Sequence, residues 1–123
     1  MSTEKILYRG LSESIIGAAI KVLNTLRPGL NEKAYENALV IELRLRGHRV
    51  DQHFDVIYED VVVDTLVPDV IVDDLVIVDP KVAEDFTRTH EAQMIGYLAI
   101  TNLRLALLIN FKHVDLRWKR IVR

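Results

Sequence analysis

The sequence predicts an α/β fold, a mixed sheet flanked by helices in the order ααβββαββ. Three observations predict it. Apolar residues recur at helical spacing up to Gly47; residues 50–82 turn to runs of Val and Ile broken by acidic pairs; and a helical stretch then separates two further strand-length runs. Strands interleaved with helices are the pattern of layered α/β domains. With 123 residues, half of them hydrophobic, the chain has the length and the apolar content of a single domain spanning 1–123.

Ser12 or Ser14 can cap a first helix, whose apolar stripe is Ile16, Ala19, Ile20, Leu23 and Leu26. Arg27-Pro28-Gly29 stops it. Asn31 can cap a second helix, with Glu32 in its first turn and Gly47 as its C-terminal stop. Val50 to Tyr58, Val61 to Val72 and Leu75 to Val82 read as three strands, with hairpin turns at Glu59-Asp60 and Asp73-Asp74. Helical spacing returns from Arg88 to Thr101, where Ala92, Ile95, Leu98 and Ala99 are apolar. Leu103 to Phe111 is almost wholly apolar, as a buried strand would be. Leu116 to Val122 alternates more loosely and reads as an edge strand.

Composition removes several classes of function. The chain has no cysteine, which excludes disulfides, thiolate metal sites and a cysteine nucleophile. No apolar run approaches the ~18 residues of a membrane span, and Met1 to Leu11 lacks an apolar core with a cleavage site. A cytoplasmic protein without membrane contact is the expectation. The net charge of −2 conceals a segregation, +2 over residues 1–54, −9 over 55–85 and +5 over 86–123. Such a pattern suits a metal site beside a polyanion-binding surface, and equally acidic turns beside a solvated basic tail. Within that tail, Lys112, Arg117, Lys119 and Arg120 are the expected nucleic-acid contacts.

The informative stretch runs from Val67 to Lys81. Side chains alternate along a strand, so Asp79 and Lys81 share a face, and Asp69 precedes them across the Asp73-Asp74 turn. Two converging carboxylates repel unless a proton or a cation intervenes. Mg²⁺ or Mn²⁺ prefers such oxygen donors, and a neighbouring lysine can stabilise developing negative charge. These parts suit metal-assisted hydrolysis of a phosphodiester. His48, His53 and His113 show no metal-ligand spacing, no Gly-rich phosphate loop exists, and no Ser/His/Asp triad can be read beyond composition.

The Pro68-Asp69…Asp79-Pro80-Lys81 spacing resembles the PD-(D/E)XK nuclease superfamily. Gly29-Leu30-Asn31-Glu32-Lys33-Ala34-Tyr35 is similar to the signature of its small GxxExxY family, as are Ile15 to Leu39, the His90-Glu91-x-Gln93…Tyr97-Leu98 segment and Leu107 to Phe111. The resemblance covers nearly the whole chain and implies a restriction-endonuclease-like core. It implies Asp69 and Asp79 as metal-binding carboxylates, the Pro80 carbonyl as a further ligand and Lys81 as the catalytic lysine. It also implies Glu32 as an additional acidic ligand and Gln93 as a residue beside the active site. The family usually carries Glu-Leu-Lys where this chain has Asp79-Pro80-Lys81. The shorter aspartate would draw a metal closer to the strand. Proline lacks an N–H, so either the strand bulges there or one side is unpaired.

Plainer readings exist for most of these residues. Asp79 and Lys81 can form a structural ion pair, and Glu32 can complement the helix dipole. Tyr35 reads as core, and His90 as a helix-start residue. Two functions therefore stand: a Mg²⁺- or Mn²⁺-dependent nuclease acting on DNA or RNA, or a non-catalytic nucleic-acid or protein-binding module on the same fold. The expected partners are a nucleic acid and either a second copy of the chain or a partner protein.

Overall fold

The computed structural model describes residues 6–66 and 70–123. Asp69, together with Val67 and Pro68, lies outside the described residues. The elements are α1 (Arg9–Leu26), α2 (Glu32–Leu45), β1 (Val50–Asp51), β2 (Phe54–Tyr58), β3 (Val61–Leu66), β4 (Val70–Val72), β5 (Val76–Lys81), α3 (Arg88–Thr101), β6 (Leu105–Asn110) and β7 (Arg117–Val122). Five strands form the main sheet in the order β1-β4-β5-β6-β7; β2 and β3 form a separate two-stranded sheet. Among the described residues only β5 and β6 run parallel, joined by α3, so the sheet is mixed as expected. No helix among the described residues is long and apolar enough to cross a membrane.

Period-two alternation divides the core between the two faces of this sheet. Val70, Val72, Val76, Val78, Leu105, Leu107 and Ile109 pack against α1 and α2. Ile71, Ile77, Ala106, Leu108 and Ile121 pack against Met94 and Leu98 of α3. The central strands β5 and β6 are covered on both faces, which explains the apolar runs at 76–78 and 105–109. Asp79 and Lys81 have the parity of Ile77 and so lie on the α3 face.

Two expected strands are each divided. Val50 to Tyr58 gives β1 to the main sheet and β2 to the small one; Val61 to Val72 gives β3 and β4 in the same way. β-Branched composition favours a strand but does not choose its sheet. The small ribbon shows this, because Val61, Val62 and Val63 all remain more than half exposed. Both acidic pairs do turn the chain: Glu59 and Asp60 have φ of 50° and 63°, Asp73 and Asp74 of 53° and 56°. Positive φ at both central residues is what a type I′ hairpin turn requires.

The helix ends follow local chemistry, with one correction. Asn31 caps α2, its Oδ1 accepting from the Ala34 N–H at 3.1 Å. Gly47 (φ 88°) ends that helix: its N–H donates to Arg44 O at 2.9 Å, and the His48 N–H to Leu43 O at 3.1 Å. That pair of bonds is the Schellman motif. Neither Ser12 nor Ser14 caps α1, which starts earlier, at Arg9, after Tyr8. Both serines instead serve tertiary contacts, Ser12 with Arg120 and Ser14 with His48.

Candidate active site

β5 delivers Asp79 and Lys81 to one place. The Asp79 side chain is 1% exposed, and Lys81 Nζ lies 3.2 Å from its Oδ2. The contact is Coulombic only, for neither oxygen of Asp79 has a hydrogen-bonding partner among the described residues. A carboxylate buried in that condition is expensive to maintain. Hard oxygen donors with unused lone pairs suit a divalent cation. On this count Asp79 fits the metal that the sequence implies. Among the described residues no three His, Asp or Glu side chains converge on one point. Asp69, the residue expected there, is outside the described residues. Its neighbour Val70 opens β4 and pairs with Val78, the residue before Asp79.

Pro80 does not disturb the strand against β6. The β5–β6 register is constant from Val76↔Leu105 through Pro80↔Ile109 to Lys81↔Asn110, without a bulge. The Phe111 N–H donates to Lys81 O at 2.9 Å, so the peptide groups of Lys81 face β6. Backbone groups alternate sides along a strand, which directs the Pro80 nitrogen and carbonyl away from β6. The ladder therefore needs no N–H from the proline.

The N-terminus of α2 reaches the end of the same strand. Glu32 Oε1 accepts from the Val82 N–H at 3.2 Å, one residue past Lys81. Its helix-start position is thus combined with a contact at the site. Gln93 is exposed on α3 and donates to Tyr97 Oη at 3.3 Å. That contact stays within the helix and does not join Gln93 to Asp79 or Lys81. His90 closes a capping box with Thr87, accepting at Nδ1 from the Thr87 N–H. Tyr35 is core: its ring stacks on Phe111 at 4.8 Å, while its hydroxyl donates to Arg27 O at 2.6 Å.

The expected nucleic-acid contacts fall on different surfaces. Strand registers align Lys81, Asn110 and Arg117 in one row across β5, β6 and β7, and Asp79, Leu108 and Lys119 in the next. Alternation places both rows on the α3 face. Lys119 is paired with Glu91 at 3.0 Å and Lys112 with Glu84 at 3.5 Å. Arg120 turns to the opposite face, donating to Ser12 Oγ and Leu7 O. Arg117 is exposed and has no ion pair among the described residues.

Sequence reasoning missed Asn110. It is 1% exposed, and its amide clamps the chain just after β5: Nδ2 donates to Ala83 O at 2.6 Å, and Oδ1 accepts from the Ala83 and Lys112 N–H groups. The signal was present as the one polar residue closing an apolar strand. The hydrogen-bonded chain of Ser14, His48 and Asp73 was missed as well.

A buried carboxylate and a lysine two residues on share one face at the end of a central strand, and an acidic helix start touches the residue that follows them. The chain belongs to the PD-(D/E)XK nuclease superfamily, whose model matches residues 9–121. No curated protein and no solved structure matches it.

Proposed function

We propose that this domain is a metal-dependent nuclease of the GxxExxY kind, hydrolysing phosphodiester bonds in DNA or RNA. The observation that carries the reading is Asp79, buried, without a hydrogen bond among the described residues and 3.2 Å from Lys81. Asp79, Asp69 and Glu32, with the Pro80 carbonyl, would hold Mg²⁺ or Mn²⁺. When bound, such an ion supplies Lewis-acid stabilisation of phosphoryl oxygens and a more acidic water. Lys81 supplies a fixed positive charge where negative charge grows in the transition state. Asn110 positions the chain that follows Lys81. Arg117, exposed in the same row as Lys81, contacts a neighbouring phosphate of the bound strand.

One observation favours the second reading, a binding module without catalysis. Lys81 already neutralises Asp79 at close range, as a purely structural ion pair would. Cleavage separates the two. Purified protein with Mn²⁺ or Mg²⁺ should cut single- or double-stranded DNA or RNA, and EDTA should stop it. Asp79→Ala and Lys81→Ala should each lose about two decades of rate or more. Cleavage that persists in both variants, or no cleavage of any of these substrates, contradicts the enzymatic reading.

A further inference from the structure

A second constellation lies apart from the carboxylate site and shares none of its residues. His48 Nδ1 is 2.7 Å from Asp73 Oδ2, and His48 Nε2 is 2.7 Å from Ser14 Oγ. The three come from α1, from the Schellman turn after α2 and from the β4–β5 turn. The carboxylate is fixed by its other oxygen, since Asp73 Oδ1 accepts from the Arg49 N–H at 2.8 Å. An ionised carboxylate only accepts, so the proton of neutral His48 sits on Nδ1. Nε2 then bears the lone pair that receives the Ser14 hydroxyl. This is the hydrogen-bond order that activates a serine: carboxylate, imidazole, hydroxyl.

The surroundings suit a reactive hydroxyl. All three residues are half-buried, and the His48 and Asp73 side chains keep 16% and 32% of their surface exposed. Gly17 lies one turn along α1 from Ser14, on the same helix face. Arg46 Nη1 is 3.1 Å from the point where a Cβ on Gly17 would stand. The absent side chain thus lets a guanidinium lie along α1 within a turn of Ser14. Arg46 Nε also donates to Glu42 Oε2 at 3.1 Å, so the guanidinium is held in place and offers only part of its charge to an acyl oxygen.

We propose that Ser14, His48 and Asp73 form an acyl-transfer centre for small activated esters. Ser14 Oγ attacks the ester carbonyl as its proton passes to His48 Nε2. The bond from the carbonyl carbon to the alkoxy oxygen breaks, and the Nε2 proton goes to the departing alkoxide. Water repeats the sequence on the acyl-serine, releasing the acid and restoring Ser14.

A fluorophosphonate reads the first half of this chemistry without any ester or nucleic acid: the Oγ–P bond forms, the P–F bond breaks and fluoride leaves. Intact-mass and peptide mass spectrometry of the full chain should show one adduct, on Ser14, absent in Ser14→Ala. Asp73→Asn should label about a hundredfold more slowly or worse, because it no longer holds the productive tautomer. Circular dichroism confirms that both variants fold, and wild-type protein unfolded in urea supplies a control needing no variant, in which the Ser14 label should vanish. An unlabelled Ser14 in folded protein, equal labelling in Asp73→Asn that remains folded, or labelling that survives urea overturns the proposal and leaves the three residues as a tie between turns and α1.

Discussion

Lys81 holds its ammonium 3.2 Å from Oδ2 of Asp79, a carboxylate sealed from solvent that receives no hydrogen bond among the described residues. Two residues on one strand face thus form an ion pair whose partners are both largely desolvated, the Lys81 side chain 15% and the Asp79 side chain 1% exposed. Such a pair is costly to create and costlier to break from one side.

Removing the lysine charge alone should therefore be the more damaging change. Lys81→Met is expected to lose about 3 kcal/mol of stability in urea unfolding, since it strands a buried anion. Asp79→Asn should lose less, and the double variant should be more stable than Lys81→Met alone. A Lys81→Met protein as stable as wild type would mean that Asp79 is not buried as an anion.

Phosphate binding should depend unevenly on the basic residues of the C-terminal region. Arg117→Glu is expected to weaken nucleic-acid binding and to flatten its salt dependence by roughly 0.9 per lost phosphate contact. Lys119→Glu, the same charge change, should do less, because Lys119 already pairs with Glu91 at 3.0 Å. Filter binding between low and moderate salt measures both slopes. Equal effects of the two substitutions would contradict the placement of the phosphate track beside Lys81.

Acid should remove one surface contribution in a defined direction. The hydrogen bond from Arg46 and then that from Lys21 hold the Glu42 carboxyl below its ordinary value. A carboxyl with a lowered folded-state pKa stabilises the fold above its unfolded pKa, and loses that contribution as pH falls through the folded one. Glu42→Gln should thus melt below wild type at neutral pH, and the gap should close in acid. A gap that widens in acid would reverse the sign.

What could be read from the sequence was local. Gly47 acts through its own backbone, Asn31 through a side-chain oxygen that reaches the Ala34 N–H, and the acidic pairs through positive φ at both turn positions. The buried pair β5 and β6 could be read because burial on both faces leaves apolar runs at 76–78 and 105–109. The division of Val50 to Tyr58 and of Val61 to Val72 between two sheets could not, since valine favours a strand without naming its neighbour. Asp79 and Lys81 stood two apart and their common face followed from alternation. Asn110 clamps Ala83 from the next strand in the sheet, and His48 meets Ser14 and Asp73 across 34 and 25 positions. Contacts of that span depend on the packed fold, and no spacing rule encodes them.

The most direct test of the central claim, that Asp79 helps to hold a divalent cation, is the melting temperature with and without Mn²⁺ or Mg²⁺. A cation that binds only the folded state adds RT ln(1 + [L]/Kd), about 2.7 kcal/mol at a hundredfold excess over Kd. For a chain of this length that is a rise of several degrees. Sodium at matched ionic strength controls for screening. The wild-type protein should rise with millimolar Mn²⁺ or Mg²⁺ and Asp79→Asn should not. A wild-type melting temperature that responds no more to either cation than to sodium would contradict the metal site and the nuclease reading built on it.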